Sequence, residues 1–325
     1  MLRIAFTALL VAILVAPSAA AQDTLFAANQ VDPAGSLLTV NQVTGATTVV
    51  GAFGAASIDK VSGMAYNPAT DTLLAGSAFD GAAEPLYSVN RITGLLTVIG
   101  ADVTPPATWD GFSDLAMQPG TNLLFTSDGF TTTTLLTVSQ VLADLTLIGT
   151  VLAPGAAGNA IEFNAAGTLF WVDDLNLHTI APATAVILTT TAVTYGPGFP
   201  VPPGLRRINS MTRRPADGVM FVCVADGPAG PVTFVTTHLG TIDLVTAIVT
   251  FLGTNTVPID AICFVPPPPA PAAGAAVDPD PHDRRKRLKG CFVGQAGPIS
   301  SSLCWMLGLV LVTLIAKTSL KRAIA

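Results

Sequence analysis

A motif that recurs five times constrains the fold of this chain more than any other feature. The copies read VSGMAYNP, FSDLAMQP, GNAIEFNA, INSMTRRP and IDAICFVP. Their last residues, which are 51, 46, 50 and 51 positions apart, are Pro68, Pro119, Ala165, Pro215 and Pro266. A period of this length indicates one supersecondary unit per copy, stacked on the next.

Each unit contains four short runs rich in Val, Leu, Thr and Phe. A second run follows each of the first four motifs, as in DTLLAGS after VSGMAYNP, and LYSVNRITGLLTVIG shows the third and fourth runs clearly. Asp-Gly and Thr-Gly pairs between the runs are hairpin signals. The sequence therefore predicts an all-β fold, a five-bladed β-propeller of four-stranded antiparallel blades.

The ends of the repeat region predict how the ring closes. The region opens at DTLFAAN (23–29), a second run without a first, and it ends with an isolated first run at Ile259–Val265. Pairing these two segments would complete one blade and remove the open edges of a linear array. The alternative, a linear β-array or sandwich, has no need of a split blade.

The LYSVNRITGLLTVIG-type repeat resembles the short repeats of secreted and surface β-propellers, including families of unknown function with a TGxxTxxG turn. The resemblance covers Asp23–Pro266. It implies the fold and carries no catalytic residues, so function does not follow from it.

The first 21 residues predict a cleavable signal peptide. Arg3 precedes an apolar run from Ile4 to Val15, and the small residues at 18–21 come before polar Gln22. This order of a basic, an apolar and a small-residue segment is typical of secretory signals. The mature propeller is predicted to span 22–266 and to lie outside the cell.

The C-terminal region predicts a membrane anchor. Residues 267–290 form a Pro-rich and then basic spacer, and 291–325 contain the apolar stretch Ile299–Ala316 followed by basic residues. As a helix these 18 residues would reach about 27 Å, enough for a bilayer core. The tail resembles the sorting signals of exported bacterial proteins, which implies sorting or processing machinery as a partner and anchoring at the cell surface or periplasm.

Charge and motifs narrow the function further. The segment 23–265 has 18 acidic and 6 basic residues, so a nucleic-acid partner is not expected. No CxxC, HExxH, GxSxG or phosphate-loop motif occurs, and we predict no metal and no cofactor. The three histidines lie in different sequence contexts. Cys223 and Cys263, on neighbouring blades, are a candidate disulfide if their Cα atoms come within about 7 Å.

One column of small polar residues recurs near the start of the first runs. Its members are Ser62, Ser113, Asn159, Asn209 and Asp260. They either satisfy strand ends and channel water, or form a ring of polar atoms able to hold a sugar hydroxyl or a cation. Trp109 and the pair Arg206 and Arg207 lie in the adjoining loops, and the arginines are a candidate anion contact.

These features favour a protein without enzymatic activity that binds a glycan or protein at the cell surface. The alternatives are a polysaccharide-acting enzyme and a purely structural surface protein. An enzyme of that kind needs a pair of carboxyl groups, for which we considered Asp114 and Asp260. They occupy adjacent columns and, in an unbroken strand, would face opposite sides.

Overall fold

The computed structural model describes ten stretches of the chain. These are residues 22–29, 35–54, 61–77, 85–100, 111–128, 134–151, 160–173, 175–200, 206–226 and 236–268. They all belong to the first of two units into which the chain divides, which ends at Pro268. The predicted signal peptide, most of the spacer and the predicted anchor lie outside the described residues.

Antiparallel sheets of four strands account for the first three blades. Blade I consists, from the centre outwards, of β21 (Ile259–Val265), β1 (Thr24–Asn29), β2 (Ser36–Val40) and β3 (Thr47–Ala52). Blade II consists of β4 (Val61–Asn67), β5 (Thr72–Ser77), β6 (Leu86–Val89) and β7 (Leu96–Ile99). Blade III consists of β8 (Asp114–Met117), β9 (Leu124–Ser127), β10 (Thr134–Val138) and β11 (Leu145–Thr150).

The last two blades follow the same plan with one addition. Blade IV consists of β12 (Ala160–Phe163), β13 (Leu169–Val172), β14 (Asn176–Ile180) and β15 (Ile187–Ala192). Blade V consists of β17 (Arg206–Arg213), β18 (Met220–Asp226), β19 (Thr236–Ile242) and β20 (Ile248–Thr254), with the short β16 (Thr194–Tyr195) on its outer edge. The five-bladed, all-β prediction is confirmed.

The ring closes as the sequence predicts. The last strand of the body, β21, pairs antiparallel with the first, β1, from Thr24 opposite Val265 to Ala28 opposite Ala261. The inner strands β21, β4, β8, β12 and β17 each contact the next, and β17 contacts β21. The two ends of the body are therefore hydrogen-bonded within one blade.

The hydrophobic core is divided among the seams between blades. Five clusters of buried apolar side chains are present, and each contains residues of two neighbouring blades. In the seam between blades V and I, for example, the rings of Phe221 and Phe264 meet edge-on at 5.0 Å. The inner strand β21 is buried along its whole length, whereas the outer strand β3 is exposed at half of its positions and fully buried at none. Burial of apolar surface between blades is thus the main contribution to ring stability.

Close packing between neighbouring blades explains why the TGxxTxxG pattern ends in glycine. A Cβ atom at Gly51 of blade I would overlap the carbonyl oxygen of Thr93 in blade II, and one at Gly253 of blade V would overlap that of Thr44 in blade I. Outer strands therefore approach the turn of the next blade more closely than any side chain allows.

The seam between blades IV and V is built differently. Thr191 pairs with Leu177 as Gly51 pairs with Leu37 in blade I, so a side chain replaces the seam glycine. The chain then adds β16, which lies parallel to β20 and whose Thr194 N–H donates to the Ala247 carbonyl at 3.1 Å. This extra strand has no counterpart in the repeated sequence pattern.

No helix among the described residues is long and apolar enough to cross a membrane. The predicted anchor helix at Ile299–Ala316 lies outside them.

Candidate functional site

The predicted polar column lies at the start of the inner strands and is largely hydrogen-bonded within the ring. Ser62 Oγ donates to the Phe112 carbonyl, and Ser113 Oγ donates to the Ser127 carbonyl at 2.6 Å. Asn209 Nδ2 donates to Asp260 Oδ1 at 3.1 Å, which joins blades V and I. Asn159 lies outside the described residues. A ligand at this column stays a prediction.

β-Bulges change the direction of three residues in this column. The pairing register skips one residue in each of three inner strands: Ser62 in β4, Asn209 in β17 and Asp260 in β21. A bulge interrupts the alternation of side chains along a strand. The expectation that Asp114 and Asp260 face opposite sides assumed strands without bulges. Because β21 has a bulge at Asp260, that expectation no longer follows from strand alternation.

Asp114 lies where the inner strands converge, one residue beyond the polar column. The equivalent positions of the other blades carry only small residues, namely Gly63, Ala160, Ser210 and Ala261. Asp114 is 0% exposed. Its Oδ2 accepts hydrogen bonds from the backbone N–H groups of Ile161 and Met211, each at 3.2 Å.

The other oxygen of Asp114 extends this network to blade I. Oδ1 accepts from the Leu115 N–H at 3.0 Å and from Ser210 Oγ at 3.2 Å. Ser210 Oγ in turn accepts from the Ile262 N–H at 3.1 Å. Burial raises the pKa of Asp114 well above its ordinary value. Asp114 therefore links the inner strands of four blades and has no free face for a substrate.

Two residues further along the inner strands is a second ring with a single carboxyl group. It consists of Ala65, Ala116, Glu162, Thr212 and Cys263. Glu162 is in β12, and the sequence analysis overlooked it as an inner-strand carboxylate although it lies in the motif GNAIEFNA. Comparing this column across the five repeats, as was done for the polar column, would have found it.

A cavity of about 250 Å³ opens above this second ring. Glu162, Thr212 and Cys263 line it, together with the side walls Tyr66, Met117, Arg213 and Phe264. Four of the prolines that end the repeat motif, Pro68, Pro119, Pro215 and Pro266, surround it as well. The cavity thus lies on the propeller axis, at the end where the inner strands finish.

Glu162 is held in this cavity by the backbone and is not neutralised by an ion pair in the described part of the chain. Its Oε1 accepts from the Phe163 N–H at 2.7 Å, and its Oε2 from the Arg213 N–H at 3.3 Å. Burial outweighs these hydrogen bonds and raises its pKa to about 7. A carboxyl group of that pKa can both accept and release a proton near neutral pH.

The arginines between 206 and 214 do not form one cluster. Arg206 and Arg207 lie at the start of β17 and are buried, whereas Arg213 is at its far end beside the cavity. Over eight residues the strand extends by roughly 23 Å between these ends. Arg206 stacks on Phe199, with its Cζ 4.8 Å from the ring centroid. Trp109 lies outside the described residues.

The candidate disulfide is not formed, and both cysteines are buried free thiols. Cys223 packs in the core cluster between blades V and I, whereas Cys263 packs in the one between blades I and II. The thiol of Cys223 donates to the Ile259 carbonyl at 3.3 Å. The two side chains therefore lie on opposite sides of β21, and burial raises the pKa of each thiol well above its ordinary value.

Two histidines that appear unrelated in sequence occupy equivalent places in blades IV and V. His178 bonds to Asp173 at 3.0 Å and to Thr190 at 2.9 Å. His238 bonds to Asp226 at 2.7 Å, in the same position relative to its strands. Both rings are buried, so these pairs hold the middle strands of their blades together. In the described part of the chain, no group of three or more His, Cys, Asp or Glu residues could hold a metal ion.

Comparison with solved structures gives matches to β-propeller proteins at low identity. A protein of unknown function from Bacteroides thetaiotaomicron is 14% identical, with a TM-score of 0.46 over 76% of this chain and 65% of that one. A gluconolactonase from Xanthomonas campestris is 15% identical, with a TM-score of 0.37 over 59% of this chain and 66% of that one. A Bacteroides uniformis protein provisionally named a 6-phosphogluconolactonase is 12% identical, with a TM-score of 0.40 over 72% and 82%.

This chain thus spans less than two thirds of the length of the Bacteroides thetaiotaomicron structure. No protein-family model matches the chain, and no curated protein matches it.

The prediction that the protein is not an enzyme is corrected. Proteins named as lactonases are among the structural neighbours, at 12% and 15% identity. That prediction also depended on the lack of a credible acid–base pair, with Asp114 and Asp260 taken as the only carboxyl groups of the inner strands. Glu162, which lies in β12 and lines the cavity, is a further one.

Proposed function

We propose that this protein hydrolyses a small ester or lactone in the axial cavity, with Glu162 as the general base. The observation that carries the proposal is the position of Glu162. Among the described residues that line the cavity, it alone has a carboxyl group. Its raised pKa, about 7, matches the value at which a general base works best near neutral pH.

The proposed reaction follows from the hydrogen bonds of Glu162. Each carboxylate oxygen accepts one backbone N–H, which leaves further lone pairs for a water molecule. Ionised Glu162 removes a proton from this water as its oxygen forms a bond to the acyl carbon. The tetrahedral intermediate then collapses, the acyl–oxygen bond of the ester breaks, and the protonated Glu162 returns the proton to the leaving alkoxide.

Thr212 is suited to stabilise the oxygen anion of this intermediate. Its Oγ1 accepts a hydrogen bond from the Phe264 N–H at 3.2 Å, and it lies in the ring that contains Glu162. With its lone pair engaged in this way, the hydroxyl group can donate its own proton into the cavity. A donor aimed at the developing oxyanion is a common source of transition-state stabilisation.

The number of carboxyl groups available in the cavity favours acyl transfer over cleavage of a glycosidic bond. Glycosidases use two carboxyl groups that flank the scissile bond. Asp114 cannot be the second one because it is fully buried and both of its oxygens accept hydrogen bonds from the ring. Hydrolysis of an ester or lactone needs one general base, and a cavity of about 250 Å³ suits a molecule the size of one sugar unit.

The test is hydrolysis of D-glucono-δ-lactone and of p-nitrophenyl acetate by the wild type and by Glu162→Gln. The matched control is Asp144→Asn, which removes an exposed carboxyl group in a turn of blade III. We expect the wild type and the control to hydrolyse these compounds at equal rates, both above the spontaneous rate. The rate with Glu162→Gln should fall to the spontaneous rate. Either a wild type that hydrolyses neither compound or a Glu162→Gln variant with full activity would refute the proposal.

We further propose that this activity takes place outside the cell, at the surface, on a small glycan-derived substrate. The support is the signal-like pattern of residues 1–21 and the apolar stretch Ile299–Ala316 after the spacer. Deleting 290–325 should release an active propeller from the membrane fraction. Activity that stays with the membranes would contradict the anchoring role of this tail.

A further inference from the structure

Arg213 is next to Glu162 at the cavity, where its charge acts to lower the pKa of Glu162, but it forms no ion pair in the described part of the chain. Its backbone N–H bonds to Glu162, and its side chain lines the same cavity. The guanidinium Nε is buried and has no hydrogen-bond partner among the described residues. A buried polar atom without a partner is uncommon and indicates that something else occupies the site in the working protein.

Two other arginines, Arg91 and Arg214, are neutralised by ion pairs. Arg91 forms an ion pair with Asp71 at 2.8 Å, and Arg214 forms one with Asp217 at 2.6 Å. No ion pair of Arg213 occurs in the described part of the chain. A cation that is partly removed from water and lacks an ion pair favours an anionic group on a ligand.

We infer that the cavity selects small molecules that carry a carboxylate, and that Arg213 is the residue that binds it. The inference rests on the proposed function in that both use the same cavity. The planar guanidinium fork of arginine matches the two oxygens of a carboxylate. The substrate class is then the lactone or ester of a sugar acid that retains a free carboxylate.

A phosphate group would also fit the guanidinium fork, but Glu162 disfavours it. The carboxyl group of Glu162 is close enough to Arg213 to accept its backbone N–H. Two like charges at such short range repel each other, and the repulsion grows with the charge of the ligand. A carboxylate carries one negative charge and a phosphate up to two near neutral pH, so the carboxylate is the better ligand.

Binding to the propeller can be measured by calorimetry with D-glucuronate, D-glucose and D-glucose 6-phosphate. D-Glucuronate contains no bond that the proposed reaction cleaves, so its binding is independent of catalysis. We expect D-glucuronate to bind at least tenfold more tightly than either of the other two. Equal binding of D-glucuronate and D-glucose, tighter binding of the phosphate, or no binding of D-glucuronate would each overturn the inference.

Substitutions of Arg213 test whether this residue binds the carboxylate. Arg213→Gln should weaken D-glucuronate binding at least tenfold and leave D-glucose binding unchanged. Arg213→Lys, which keeps the positive charge without the guanidinium fork, should weaken D-glucuronate binding less than Arg213→Gln does. The matched control Arg91→Gln removes an arginine that does not line the cavity, and it should stay within about twofold of the wild type. Unchanged binding in Arg213→Gln, with its circular dichroism spectrum intact, would contradict the role of Arg213.

This test can fail separately from the proposed hydrolysis. Glu162→Gln should bind D-glucuronate at least as tightly as the wild type, because it removes a negative charge beside the ligand. Arginine-dependent binding of D-glucuronate without hydrolysis of any lactone would support this inference and refute the catalytic proposal. Lactone hydrolysis by a wild type that binds D-glucuronate no more tightly than D-glucose would do the reverse.

Discussion

Two carboxyl groups occupy successive rings on the propeller axis, and their surroundings differ in one respect. Asp114 and Glu162 are each the single carboxyl group in a ring of otherwise small residues. Asp114 accepts four hydrogen bonds from three strands and is sealed from solvent. Glu162 accepts two and lines a cavity.

The difference indicates which of the two is structural and which is functional. A saturated carboxyl group holds its neighbours in place, and its removal leaves several buried donors without an acceptor. A carboxyl group that is buried but only partly bonded destabilises the fold when ionised, so its presence calls for another explanation. Mutations at the two positions should therefore change stability in opposite directions.

The largest expected effect is that of Asp114→Ala. Removing this carboxyl group leaves the N–H groups of Ile161 and Met211 without partners in the centre of the ring. We expect a loss of about 3–5 kcal/mol in the free energy of unfolding, measured in urea. A loss below about 1 kcal/mol would show that Asp114 does not hold the ring together.

A smaller effect of opposite sign is expected for Glu162→Gln. The pKa of Glu162 is raised from 4.5 to about 7, so the folded state binds this proton more tightly than the unfolded state. The resulting stability is present below pH 4.5 and is lost as the pH rises through about 7. Glutamine mimics the protonated form. We expect Glu162→Gln to match the wild type at about pH 4 and to be more stable by about 1–3 kcal/mol at pH 8.

Urea unfolding of the wild type and Glu162→Gln across this pH range measures the difference. Asp144→Asn is again the control, since it removes one exposed carboxyl group outside the cavity. A constant difference between wild type and Glu162→Gln at all pH values would contradict the raised pKa.

The smallest effect concerns the hydroxyl group that extends the Asp114 network to blade I. Ser210→Ala removes one hydrogen bond to Asp114 and leaves the Ile262 N–H without its acceptor. We expect a loss of about 1–2 kcal/mol. In a double-mutant cycle with Asp114→Ala the two losses should not add, because both variants break one network. Strict additivity would show that the two residues act independently.

The sequence was sufficient to predict the blades and the closure of the ring, because both depend on repeated patterns. The split blade of β1 and β21 is visible as a first run without its partners. The seam glycines are visible as well, since Gly51 recurs in register with Gly100 and Gly149. Local hairpin chemistry and blade packing impose the same residues on every repeat, so comparison of the repeats recovers the fold.

The candidate site could not be predicted in the same way, because it depends on what differs between repeats. Glu162 and Asp114 are each a single departure from a column of small residues, and a search for common features passes over them. The bulges at Ser62, Asn209 and Asp260 shift side chains by one position, which strand periodicity does not reveal. Strand β16 fills a seam that lacks its glycine, an event that occurs once in the described chain.

The claim that the Glu162 cavity is the working site is tested most directly by titrating that carboxyl group. Carbon-13 NMR of the side-chain carboxyl of Glu162, assigned by its loss in Glu162→Gln, gives the midpoint without any substrate. We predict a midpoint at about pH 7 that shifts when D-glucuronate is added. A midpoint near 4.5, the ordinary value for glutamate, and unchanged by the ligand would contradict the account.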